Sequence, residues 1–173
     1  AEAEALGCKL HWDKNNPPGV ISHVLAEGKT LDELPILTRE SGRLPMFFDA
    51  TRKLVEKIGD ETAVFALCCG PFTLALHLCG TSFIMDMIKK PESAHAVLVY
   101  CGEITRKMCE WYLETGAHVV AVVDPMTSQI APKHFSAFVT PYLKPAIDEV
   151  HSKDGIITIF CCGNATKNIE LMM

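Results

Sequence analysis

Three places in the chain put thiols, a carboxylate or an amide where an apolar run stops: Cys68-Cys69-Gly70-Pro71, Asp124-Pro125 and Cys161-Cys162-Gly163-Asn164. In parallel α/β sheets, open or closed into barrels, ligands and catalysis gather at the carboxyl ends of the strands. These three ends would therefore make one rim, equipped to ligate a soft metal, hold a thiolate or move a proton. Cys162, at a strand end and followed by Gly-Asn, is the metal-ligating candidate, although a cysteine inside a sheet also serves as a small hydrophobe. Asp124 is a candidate acid or base; an aspartate before proline also serves as a cap or turn residue satisfied by backbone N–H groups. His77 stands one helical turn after Thr73, on the helix leaving the first strand, where an imidazole either faces the rim as a proton carrier or packs under a loop. Neighbouring cysteines on an extended strand point to opposite faces, so each adjacent pair offers one sulfur to a given site, and neither pair has a disulfide spacing.

The elements that must position these residues are readable from hydrophobic periodicity. Thr62–Cys69, His118–Asp124 and Ile156–Cys162 are apolar on both alternating faces, which predicts strands covered on both sides in a parallel sheet. Between the first two, Ala94, Val97, Leu98, Cys101, Ile104, Met108 and Tyr112 recur at helical spacing from Pro91 to Thr115, with Gly116 past the end. Between the second and third, Pro132 opens a helix that Pro141 and Pro145 break or kink, and Lys153-Asp154-Gly155 turns the chain into the last strand. A final helix is expected near Ala165. Ahead of all this, Gly7–Trp12 reads as a short strand, Asn15–Pro45 as a long connection and Ala50–Ile58 as a helix. Right-handed crossovers place the pattern in the α/β class, one domain over 1–173.

Composition narrows the function. Sixteen Lys and Arg against 21 Asp and Glu leave a net charge of −5, so no bulk basic surface exists for nucleic acid or an anionic membrane. The most apolar stretch, Ala63–Cys79, is interrupted by Gly70-Pro71 and reads as a strand running into a helix rather than a membrane span. The opening Ala-Glu-Ala-Glu lacks the features of a signal peptide, which with eight cysteines implies a reducing cytoplasm. Glycine-rich nucleotide loops, a Gly-Lys-Ser/Thr phosphate loop and a Gly-x-Ser-x-Gly nucleophile elbow are missing. Three parallel strands alone leave both lateral edges unpaired, inviting self-association.

The ordered set Gly70-Pro71-Phe72-Thr73-Leu74-Ala75, Gly116-Ala117, Asp124-Pro125 with Ser128, Phe138-Val139-Thr140-Pro141-Tyr142-Leu143-Lys144 and Cys162-Gly163-Asn164 resembles the uroporphyrinogen decarboxylase-like superfamily. Within it, the forms look most like the methylcobamide:coenzyme M methyltransferases. The resemblance implies a (β/α)₈ barrel about twice this length, of which this chain is a partial TIM barrel supplying the third to fifth strands. It further implies methyl transfer from a methylated corrinoid, carried by a corrinoid protein, to a small thiol such as coenzyme M. Asp124 and His77 fall at the catalytic rim, and Gly70 and Pro71 beside the cofactor. In the methyltransferases, zinc is held by a His-x-Cys pair on the fifth strand and a later cysteine, and activates the thiol as a Lewis acid. Cys162 matches the first cysteine, Phe160 stands at the histidine and the later cysteine would lie beyond Met173, so the isolated chain is expected to bind zinc weakly or not at all. Two alternatives accompany this reading. One is uroporphyrinogen decarboxylation, against which His77 stands where that enzyme has tyrosine and Pro125 where it has serine. The other is a non-catalytic binding module, which the loss of the histidine would fit.

Overall fold

A computed structural model describes residues 1–173. The chain opens with a one-turn helix, α1 (Glu2–Ala5), and a two-residue antiparallel hairpin, β1 (Leu10–His11) and β2 (Gly19–Val20). Helix α2 (Leu44–Ile58) starts earlier than the expected Ala50, because Pro45 is well placed in a first helical turn and Phe48 docks on Trp111 and Tyr112, at ring-centroid distances of 6.0 and 5.1 Å. Strand β3 (Phe65–Cys69) then runs into α3 (Pro71–Cys79), which stops where Gly80 takes φ +72°. A short helix, α4 (Phe83–Lys89), follows.

The long crossover helix is α5 (Pro91–Glu114), whose buried stripe includes Ala94, Leu98, Cys101, Thr105, Met108 and Tyr112, matching the periodicity. Strand β4 (Val119–Val123) leads through a 3₁₀ turn, Pro125–Gln129, to α6 (Pro132–Phe138) and α7 (Thr140–Ser152). The helix break falls at Val139, since Pro141 can sit in a first turn of α7; Pro145 is carried inside α7. Helices α5 and α7 approach closely at Gly102, where a Cβ would meet the Tyr142 carbonyl oxygen at 2.8 Å. Strand β5 (Ile156–Phe160) follows Asp154, at φ +56°, and the expected final helix is a 3₁₀ segment, Thr166–Leu171.

The sheet is parallel in the order β3-β4-β5, in register Cys69–Val123–Phe160 at its carboxyl edge, with the outer sides of β3 and β5 unpaired. Its two faces differ. Ala66, Cys68, Val120 and Val122 are buried under the helices, α5 packing on β3 and β4 and α7 on β5. On the other face Phe65, Leu67, Ile156 and Phe160 remain more than half exposed. The expectation that each strand is covered on both sides thus holds for β4 and fails for β3 and β5. No single helix is long and apolar enough to cross a membrane.

Candidate active site at the strand ends

The end of β4 is tied to the start of α3. Asp124 is fully buried; its Oδ1 accepts from the Thr73 N–H at 2.8 Å and the Thr73 hydroxyl at 2.5 Å, and its Oδ2 from the Phe72 N–H at 3.2 Å. It therefore satisfies the first turn of α3 from a neighbouring strand, as a local cap residue would. Gly70 and Pro71 are buried in the same joint, and a Cβ on Gly70 would fall inside the Asp124 carboxylate. Thr73 closes the joint by accepting from the Met126 N–H at 3.3 Å. Burial pushes the Asp124 carboxyl up to about 6, against the pull of the three hydrogen bonds.

The end of β5 is built differently. Cys161 turns toward the 3₁₀ turn after β4, with Sγ 3.5 Å from Thr127 Oγ1 and 3.8 Å from the Pro125 carbonyl oxygen. Cys162 is exposed. Gly163, at φ +106°, lets the loop pass Ser128, whose Oγ would lie 3.1 Å from a Cβ there. Asn168, which motif reading missed, donates from Nδ2 to the carbonyls of Thr127 and Ile130, each at 3.0 Å, and leaves Oδ1 buried without a partner. Its role depends on contacts across about 40 residues of sequence, so no local signal points to it.

No three His, Cys, Asp or Glu side chains converge closely enough to hold a metal ion. A catalytic zinc needs about three protein donors at roughly 2.0–2.3 Å. Asp124 is committed to α3, Cys161 faces the loop, and Phe160 offers no donor, so Cys162 stands alone and the residues present on β5 do not fit zinc.

Beside the end of β3 lies a cavity of 490 Å³, within the range of small-molecule sites. The β1–β2 hairpin supplies one wall, including Trp12 and Val20; His77, Cys69 and Glu2 face it from the rim side, and Arg43 from the position just before α2. Glu2 is buried and accepts the Cys69 N–H at 2.8 Å. Arg43 is fixed by Glu4 at 2.7 Å and by the Trp12 ring, whose centroid lies 4.4 Å from the guanidinium carbon. Burial pulls the His77 imidazole below its ordinary value more than the Glu2 carboxylate raises it, while burial and the carboxylates of Glu2 and Asp124 push the Cys69 thiol well up. The cavity thus holds a neutral imidazole and a protonated thiol. The structure brings His77 and Cys69 to this cavity, and sets Asp124 and Cys162 apart in the joint and in solvent.

Successive parallel βα units with their polar residues at one rim form an arc of a (β/α)₈ enzyme barrel. The chain belongs to the uroporphyrinogen decarboxylase family, whose profile matches residues 1–173. The methylcobamide:CoM methyltransferase MtbA of Methanosarcina acetivorans is 29% identical over 175 residues, covering 99% of this chain and 52% of the relative. A uroporphyrinogen decarboxylase of Thermodesulfovibrio yellowstonii is 24% identical over 155 residues, covering 85% and 44%. Among solved structures, a methyltransferase from Methanosarcina mazei superposes with a TM-score of 0.83 at 27% identity, covering 95% of this chain and 49% of that one. The chain spans about half the length of the curated relatives it matches and is a partial barrel of their kind.

Proposed function

We propose that this chain forms the acceptor side of an enzyme that moves a methyl group from a methylated corrinoid, presented by a corrinoid protein, to a small thiol such as coenzyme M. The observation that carries the reading is the hairpin-walled cavity at the end of β3, with the His77 imidazole facing it, in a chain whose relatives include methylcobamide:CoM methyltransferases. The thiol enters this cavity and gives its proton to the neutral ring of His77. Its sulfur then attacks the methyl carbon, the cobalt–carbon bond breaks with its electron pair left on cobalt, and His77 passes the proton to solvent. Ordinary thiol and imidazole values differ by about two units and the burial of His77 widens the gap, so proton transfer is uphill by at least about 3 kcal/mol. The attack that consumes the thiolate draws it forward. Asp124 serves from behind, by fixing α3 and hence His77.

The test uses the full-length protein with methylcobalamin and coenzyme M, following loss of the methylcobalamin spectrum. His77→Gln should lower kcat/KM by roughly 10²–10⁴-fold, the usual worth of a general base, and remove the acid limb of the pH–rate profile. A protein that decarboxylates uroporphyrinogen and leaves methylcobalamin untouched overturns the reading in favour of the decarboxylase.

A further inference from the structure

We infer that the carboxyl end of β5 in this chain is a metal-free, apolar shelf, so that proton removal from the acceptor is left to the cavity side chains. Phe160 shares a register row with Val123 and Cys69 and lies on the open face with Thr158 and Ile156, its ring half exposed. That row presents an aromatic ring, an isopropyl group and a single thiol that lines the neighbouring hairpin-walled cavity, so it lacks the three donors a catalytic zinc needs. The sulfur next along the chain from the missing imidazole, that of Cys161, is turned the other way. It is kept there by a chain of contacts: Cys161 against Thr127, the Thr127 hydroxyl donating to the Asp124 carbonyl at 2.6 Å, and Asn168 gripping the Thr127 and Ile130 carbonyls. Swinging Cys161 to the open face would require a bulge in β5 and the loss of those contacts. The metal statement stands on the donor set alone; its consequence for the proton rests on the methyl-transfer reading.

The full-length protein is loaded with Zn²⁺, passed through a mild chelator, and its metal counted by atomic absorption, alongside Phe160→His and Cys162→Ser. The wild type should retain well under one equivalent. Phe160→His, at a half-exposed position where histidine is readily tolerated, should raise retention roughly tenfold or more, and adding Cys162→Ser should abolish the gain. Stoichiometric zinc in the wild type that Cys162→Ser releases overturns the inference, as does a Phe160→His protein that folds yet gains no zinc. Zinc that Cys162→Ser leaves in place sits elsewhere and supports it. Methyl transfer is scored separately: zinc-poor wild type that methylates no thiol removes the functional reading while leaving the metal-free strand end standing.

Discussion

The ends of β4 and β5 lie side by side in the sheet and use their polar residues in opposite ways. At β4, a carboxylate that looks catalytic has both oxygens occupied, every partner lying on α3. At β5, Cys162 stands in solvent and the tying is done from behind, through Cys161, Thr127 and Asn168. The difference teaches that residue type at a strand end marks where the chain needs polar chemistry, and burial decides whether that chemistry is architecture or is left open. A carboxylate sealed from water among backbone N–H groups is a joint.

The largest test of the contrast is truncation. Asp124→Ala would strand two buried N–H groups and the Thr73 hydroxyl, at ~1–3 kcal/mol each; the expected loss is about 3–5 kcal/mol in urea unfolding, whereas Cys162→Ala should stay within about 0.5 kcal/mol. Equal losses would erase the distinction between the two ends. The second test is pH. Folding raises the Asp124 carboxyl from its ordinary 3.8 to about 6, so its protonated form is favoured by the fold. The associated stabilisation, about 3 kcal/mol, is fully present below pH ~3.8 and is lost as pH rises through about 6. Unfolding midpoints taken between pH 4 and 7 should show this slope in the wild type and lack it in Asp124→Asn. The smallest effect concerns the β5 side: Asn168→Ala removes two hydrogen bonds but also an unpartnered buried oxygen, and should cost only about 1 kcal/mol, while speeding alkylation of Cys161 as the loop loosens. Unchanged Cys161 reactivity would separate Asn168 from the control of that strand end.

Much of the architecture was readable because its signals are local. Three apolar runs, a long amphipathic stripe and prolines at helix starts place β3 to β5, α5 and α7 within a few residues. The collection of polar residues at one rim follows from parallel strands. What escaped was whatever depends on distant partners or very short elements. Helices α1 and α4 and the 3₁₀ segments are too brief for periodicity to speak, and the hairpin has two residues per strand. Glu2 and Asn168 owe their roles to a strand end and a turn far along the chain. Gly70 and Pro71 pack in the Asp124 joint, which links positions about 50 residues apart. The outward faces of β3 and β5 carry apolar residues, and hydrophobic pattern alone has no means of saying which apolar face is left bare.

All eight cysteines are free, yet only Cys162 stands in solvent, with Cys8, Cys68, Cys101 and Cys109 sealed in the interior. A small maleimide therefore turns the chain into its own stopwatch: one fast adduct tags the intact molecule, and the late arrival of the interior sulfurs records each time it comes open.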